Sequence, residues 1–400
     1  MLVATGIKEQ LTRASWIRRM FEEGLRLKKE RGPENVYDYT LGNPEVEPPE
    51  KVLETLRRVA CETRPGSHRY MTNAGFPQVR EVIAQRLRKD TGLGFSTDDV
   101  LMAAGASGAC NVLLKAILDP GDEVIVLSPC FPDYPFYIAN HGGRAVCVET
   151  DDEFLPNVKR IAAAITPRTK AILLNTPNNP TGRVYPENIL RDLNAVLVLA
   201  NQPVMVISDE PYKHLVFDGK RQAEVASIIP HTAICNSASK SQALPGERIG
   251  YLALSPVLPD IGDLRAACTF AIRTLGFINA SALWQLVLAE AQDAMVEVAY
   301  YQQKRDLLCE ALARIGYDVT KPEGSFYVFL KTPIPDDIEF VRFLSAEGVL
   351  CVPGTGFGRS GYIRLSLTVP REMIERSISA FEKAFQQLTG KAGTKKVAQV

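Results

Sequence analysis

Several apolar runs in this chain end in polar residues whose types could do chemistry together. AICNSASK (233–240) closes with Ser237 and Lys240, and Arg248 follows eight residues after the lysine. Surface lysines seldom sit at the end of an apolar strand. Partial burial beside a second cation would lower the pKa of Lys240 and make it a competent amine nucleophile. VMVISDEPY (204–212) ends in Asp209 and Tyr212. A carboxylate that terminates a buried strand needs a partner, because leaving it unpaired is costly. A structural cap would satisfy it, and so would the cation of an aromatic nitrogen.

KAILLN (170–175) runs into TPNNPTG (176–182), a rigid turn that holds the Asn179 amide in a fixed direction. A plain tight loop is the other reading of that run. In AAGASGAC (103–110) a strand meets Gly105, and the small residues Ala106 and Ser107 let backbone N–H groups approach an anion at a helix start. The same residues would also serve ordinary turn chemistry. GYIRLSL (361–367) places Arg364 inside an apolar strand, where a guanidinium suits bidentate capture of a carboxylate or a structural ion pair. No one of these signals decides the matter. Together they supply an amine, an acid, a phenol, an amide, a phosphate cradle and a carboxylate clamp, an inventory that fits pyridoxal phosphate better than any other cofactor.

Elements must exist to bring these residues together. From about residue 76 the sequence alternates helix and strand: a helix in FPQVREVIAQRLRKD, then short apolar strands such as EVIVLSP, KAILLN, VMVISDE and RIGYLAL with helices between them. Continuously apolar strands of this kind belong in a mostly parallel sheet buried on both faces. In such a sheet ligands bind at the carboxyl ends of the strands, where the polar residues above fall. After about residue 280 the pattern changes to one long helix, roughly 281–315, the alternating segments SFYVFL and GYIRLSL, and a final amphipathic helix at 370–388. The expected fold is therefore α/β: a large domain with a mostly parallel central sheet flanked by helices, plus a smaller α+β domain. Residues 1–45 read as an N-terminal arm with a charge-rich helix at 15–30, joining the small domain. Residues 46–285 read as the large cofactor-binding domain, 286–390 as the small C-terminal domain and 391–400 as a disordered tail.

Bulk properties narrow the function classes. Lys plus Arg and Asp plus Glu both number 46, so no net field favours nucleic acid or an anionic membrane. The eight cysteines are scattered, without C-x-x-C pairs or histidines at metal-ligand spacing, as expected of reduced thiols in the cytoplasm. No stretch approaches the ~18 apolar residues of a membrane span, and the first twenty residues lack the apolar core of a secretion signal. The expected location is cytoplasmic.

The order and spacing of NTPNNPTG (175–182), SDEPY (208–212), SASKSQALPGERIGY (237–251), PEGSFYVF (322–329) and GYIRLSL (361–367) resemble the class I/II aminotransferases of the aspartate aminotransferase superfamily, fold type I, over roughly residues 35–385. That resemblance implies a transaminase moving an amino group between an L-amino acid and a 2-oxo acid by ping-pong chemistry, with aspartate and 2-oxoglutarate the expected pair. By resemblance, Lys240 carries pyridoxal 5′-phosphate as a Schiff base and shuttles the proton, and Asp209 holds the ring nitrogen protonated. Asn179 and Tyr212 bond the phenolic oxygen. Ser237, Arg248 and the backbone of Ala106 and Ser107 hold the phosphate, and Phe131 stacks on the ring. Tyr70 reaches the phosphate of a neighbouring subunit, which implies a homodimer with shared active sites. Arg364, with Asn179 and the backbone of Gly42, binds the substrate α-carboxylate.

Two positions depart from the family pattern. Phe131 stands where many members have Trp or Tyr. Ser107 stands where the bacterial aspartate subgroup carries the lysine that reads a distal carboxylate; AIR (271–273) resembles another subgroup in which Arg273 would take that role across the dimer. Aminotransferases for alanine, aromatic or branched-chain amino acids are the alternatives, and a lyase on the same scaffold is a further one. The Arg364 clamp argues against loss of the α-carboxylate. A Ser237–Lys240 acyl transferase would need Ser-Asp-Asn and Lys-Thr-Gly companions, and neither occurs.

Overall fold

The computed structural model describes residues 2–13, 15–62 and 64–390; the tail expected to be disordered, 391–400, lies outside the described residues. Its strands in chain order are β1 Tyr37–Asp38, β2 Val100–Ala103, β3 Glu123–Ser128, β4 Arg144–Glu149, β5 Thr169–Asn175, β6 Met205–Asp209, β7 Thr232–Ser237, β8 Gly250–Leu254, β9 Tyr327–Lys331, β10 Val349–Leu350, β11 Val352–Pro353 and β12 Tyr362–Ser366.

β2 to β8 form one sheet in the order β2-β8-β7-β6-β5-β3-β4. Pairing from β7 across to β4 is parallel, and β8 alone runs against its neighbours β2 and β7. The apolar runs have no polar face because each strand covers both sides of the sheet. Val124 and Val126 enter the core shared with helices Gly105–Ile117 and Ile261–Thr274, whereas Ile125 and Leu127 join the core under helix Glu187–Val198. Ala171 and Leu173 alternate in the same way with Ile172 and Leu174. This is the two-residue period of a strand with both faces in oil. Register then carries function: Asn175 pairs with Asp209, and Ser237 with Gly250, so their side chains emerge along one edge of the sheet.

The second layer is the antiparallel sheet β11-β12-β9, with Arg364 opposite Phe329, packed under helices Val298–Ile315 and Arg371–Thr389. The N-terminal arm joins this layer. Helix Ser15–Arg31 occupies the stretch expected at 15–30, Leu27 packs with Val36 and Leu350, and β1 pairs parallel with β10. Tyr39 continues that pairing through Leu350 and Ser366, which delivers Thr40 to Gly42 to the edge of the large sheet.

The expected single helix over roughly 281–315 is broken. Ala282–Ala291 packs against Glu50–Cys61 and Pro77–Thr91, and a new helix starts at Val298. The break is made by distant residues. Gln242 Nε2 donates to the carbonyls of Ala291 and Ala294, and Val296 N–H donates to Ser241 O. Helices Tyr134–Asn140 and Ile261–Thr274 also lie outside the elements read from the sequence. Among the described residues no helix is long and apolar enough to cross a membrane, and no cluster of His, Cys, Asp or Glu could hold a metal ion.

Where β8 starts, a Cβ on Gly250 would lie 2.3 Å from Asn236 O and 3.0 Å from the Gly105 backbone. Neither can yield, since both are main chain beside the strand ends. Gly250→Ala is expected to lower stability by about 1–3 kcal/mol, read as a lower urea midpoint at unchanged m-value. An unchanged midpoint would show that the strand junction is looser than described.

Candidate active site

The strand ends open into a cavity of about 290 Å³ lined by Thr40, Gly42, Ala106, Ser107, Phe131, Tyr134, Asn179, Asp209, Tyr212, Ser237, Lys240, Arg248, Tyr327 and Arg364, among others. Most of the residues singled out from the sequence therefore meet in one place, although they come from segments up to 322 positions apart in the chain, Gly42 to Arg364.

Lys240 sits on the short helix Ala238–Ser241 that follows β7, and its Nζ donates to Gly42 O at 2.6 Å. Burial, with the Arg364 and Arg248 cations nearby, lowers its pKa to about 8. A useful fraction of the amine is thus uncharged near neutrality. At the end of β6, Asp209 is 7% exposed. Its Oδ2 accepts the Tyr134 phenol, and its Oδ1 is buried with no partner among the described residues. Burial raises this carboxyl to about 7, against the lowering effect of the Tyr134 hydrogen bond. A cation or an N–H donor in the cavity would satisfy the free oxygen.

The Asn-Pro turn is fixed from below. Asn175 Nδ2 donates to Asp209 O at 2.9 Å, and Asn175 Oδ1 accepts Asn179 N–H at 2.7 Å. Asn179 Oδ1 in turn accepts Arg364 Nη1 at 3.2 Å. Arg364 Nη2 donates to Thr40 O at 2.6 Å, the guanidinium lies 4.3 Å from the Tyr327 ring centre, and its Nε is buried without a partner. Burial pushes the Arg364 pKa down from its ordinary value. Tyr212 OH lies 3.4 Å from Tyr327 OH, and burial pushes the Tyr212 phenol up, so it is a donor at neutral pH.

At the other end of the cavity, helix Gly105–Ile117 begins with no side-chain cap, which leaves first-turn N–H groups for an anion. Arg248, itself left-handed at φ 51°, spans this end by donating to Ala104 O at 3.3 Å and Pro245 O at 3.0 Å. Gly105 is at φ 76°, and a Cβ there would come within 2.8 Å of Arg248 Nη2. Ser237 Oγ accepts Ser239 N–H at 3.0 Å and lines the same end.

Two expected residues are not brought to the cavity within one chain. Tyr70 is 91% exposed, and Arg273 is exposed and stacked on Phe270 at 5.2 Å. Conversely, Tyr134, Asn175, Thr40 and Tyr327 line the site without having been assigned roles. Asn175 was legible as the polar end of KAILLN. Tyr134 carried no pattern of its own, and Thr40 reaches the site only because β1 pairs with β10.

The family model described as aminotransferase class I and II matches residues 34–381. The chain is 38% identical over 352 residues to the aspartate/prephenate aminotransferase of Thermus thermophilus, covering 86% of this chain and 89% of that one. It is 32% identical to the aspartate aminotransferase of Thermotoga maritima, over 87% of this chain and 91% of the relative. Among solved structures, an amino transferase from Eubacterium rectale superposes with a TM-score of 0.93 at 35% identity, covering 97% of this chain and all of that one. The aspartate aminotransferase of Thermus thermophilus with maleate superposes at 0.83 and 33% identity, over 92% and 96%.

The Asp209 environment has a consequence for stability. With the pKa raised from 3.8 to about 7, the folded cofactor-free protein keeps a proton that the unfolded chain has released. Stability therefore falls as pH rises through that window and stays low above it. At roughly 1.4 kcal/mol per pH unit the loss is on the order of 4 kcal/mol. Asp209→Asn should make the cofactor-free protein more stable than wild type at about pH 8, with the gap shrinking towards about pH 4, as read by urea denaturation. A gap that does not grow with pH would contradict the burial of an unpartnered carboxyl.

Proposed function

Because the chain belongs to the class I and II aminotransferases, whose members are pyridoxal-phosphate-dependent, we propose that it moves the amino group of aspartate to 2-oxoglutarate and that the cavity residues above perform the transfer. The observation that carries the site assignment is the buried, unpartnered Oδ1 of Asp209, which faces a cavity that also holds a lysine of lowered pKa. An acid kept dry at the floor of a cavity suits a protonated pyridine nitrogen. The capless helix start with Arg248 and Ser237 suits the phosphate, and the orphaned Arg364 Nε suits a carboxylate.

When bound, pyridoxal phosphate supplies a conjugated ring that accepts the electron pair released at the amino-acid Cα. Lys240 supplies the amine that its aldehyde requires. The same nitrogen, once free, would take the proton from the amino-acid Cα and deliver it to the cofactor carbon that bore the aldehyde. Asp209, relieved of its isolation by a cation, would return to the ionised form and hold the ring nitrogen protonated. Tyr212 donates its hydroxyl towards the phenolic oxygen, and Asn179 helps through its side chain. Arg364 would release the Thr40 carbonyl to hold the α-carboxylate, for which its guanidinium offers a bidentate fork. Phe131 gives the ring an apolar face.

The specificity half of the proposal rests on the relatives, three of which are named for aspartate together with prephenate. The cations lining the cavity are Lys240, Arg248 and Arg364, each already engaged by the roles above, so a distal carboxylate would be read by a residue from a second copy. Exposed Arg273 is the candidate. A homodimer would also cover Tyr70, Phe270 and Phe277, which are 91%, 57% and 38% exposed in the single chain.

The test is a spectral half-reaction screen, in which the lysine-linked absorbance of the holoenzyme is followed as single amino acids are added. Aspartate and glutamate are expected to convert it fully and alanine poorly; equal conversion by all three would remove the aspartate reading. Lys240→Ala should lose the lysine-linked absorbance and at least roughly 10²-fold in kcat. Arg364→Lys should keep that absorbance and raise KM for aspartate about ten- to hundredfold, the equivalent of ~1.5–3 kcal/mol for a charged hydrogen bond. An unchanged KM would place the carboxylate elsewhere.

A further inference from the structure

Residues 40–45 form a strap without regular secondary structure whose Thr40, Leu41 and Gly42 line the cavity, held through its main chain. Arg364 Nη2 donates to Thr40 O at 2.6 Å, Thr368 Oγ1 to Leu41 O at 2.9 Å, and Lys240 Nζ to Gly42 O at 2.6 Å. The strap is pressed so close to the layer beneath that a Cβ on Gly42 would overlap the Tyr327 hydroxyl at 1.7 Å. Two of its three anchors are therefore the side chains that the reaction itself must recruit. Once Lys240 and Arg364 turn to cofactor and substrate, Thr368 alone of these three anchors remains, and a further hold fixes the strap.

That hold is at Glu45. Its Oε1 accepts from both Lys304 Nζ and the Tyr300 hydroxyl, and its Oε2 is buried without a partner. Lys304, on helix Val298–Ile315, is 2% exposed. It also donates to Val369 O at 2.6 Å and lies 4.0 Å from the Tyr300 ring centre. A buried ion pair is a poor way to gain stability, because desolvating two charges offsets most of their attraction, and a methionine would fill the space at Lys304. What the pair adds is direction: a carboxylate on the strap is drawn to one fixed point on a rigid helix.

We propose that Lys304 and Glu45 are positioning residues for transamination, forming a tether that keeps the 40–45 strap over the cavity when Lys240 and Arg364 release it. The proposal rests on the aminotransferase reading of the cavity and adds the residues that hold its cover. Neither Glu45 nor Lys304 lines the cavity. The effect of the tether is to keep the Gly42 main chain facing the bound amino acid and to limit the positions the strap can take.

The experiment compares holoenzyme of wild type, Lys304→Met, Glu45→Gln, Lys304→Arg and Tyr300→Phe. Three quantities are read: the lysine-linked cofactor absorbance, kcat and KM for the amino acid, and hydrogen exchange of the 39–47 peptide. Lys304→Met and Glu45→Gln are expected to keep the absorbance, raise KM about tenfold or more with a smaller change in kcat, and speed exchange in 39–47 but not in the β9–β12 strands. Lys304→Arg should recover most of the loss. Tyr300→Phe, which removes one hydrogen bond at a partly exposed position, should give a two- to threefold rise in KM even if a buried-charge variant does not fold. Unchanged KM in Tyr300→Phe and Glu45→Gln overturns the tether, as does exchange that rises throughout the layer with KM and kcat falling together. Failure of the underlying site reading would show separately, as absent lysine-linked absorbance in wild type.

Discussion

The rest of the structure depends on keeping one carboxylate dry. Asp209 ends β6 with its neighbours Asn175 and Cys235 in register on either side, Tyr134 bonded to one oxygen and no hydrogen-bond partner among the described residues for the other. An isolated buried carboxylate is unfavourable by several kcal/mol, so this arrangement is stable in the charged form only when a cation occupies the cavity. The parallel sheet makes the arrangement possible. Strands with apolar residues on both faces exclude water from everything but their ends, and that is where Asp209, Asn175, Ser237 and Lys240 emerge. The lowered pKa of Lys240 follows from the same exclusion of water, sharpened by Arg364 and Arg248.

Two layers divide the work. The large sheet fixes Asp209, Asn179, Lys240 and the anion-binding helix start relative to one another. The smaller layer carries Arg364 on β12 and, through the pairing of β1 with β10, the strap with Thr40 and Gly42. The two meet in the hydrogen bonds from Arg364 to Asn179 and from Lys240 to Gly42, each of which joins one layer to the other. On the proposed reading, a cofactor on Lys240 would compete for the Lys240–Gly42 bond, which would couple the chemistry to the approach of the layers.

Much of this was legible in the chain because local pattern and global fold agree. Apolar runs with polar terminators gave the parallel strands, their order in sequence and the residues at their ends. What was not legible depended on partners distant in sequence. The break between Ala291 and Val298 is set by Gln242 and Ser241, and no Gly or Pro at that point announces it. Helix Ile261–Thr274 did carry a signal, since Ile261, Leu264, Cys268, Ala271 and Ile272 recur at helical spacing. Tyr134 and Thr40 reach the site through tertiary packing, and their types at those positions foretell nothing. Tyr70 and Arg273 mark the opposite case: the resemblance named them, yet one chain leaves both on its surface.

On the proposed reading, the free oxygen of Asp209 is the partner of the protonated cofactor ring nitrogen. The direct measurement is the ¹⁵N chemical shift of ring-labelled pyridoxal phosphate in the holoenzyme, with Asp209→Ala beside it. Wild type is expected to hold a protonated nitrogen at and above neutral pH, and the variant an unprotonated one. An unprotonated ring nitrogen in wild type, or the same shift in both proteins, would contradict that reading.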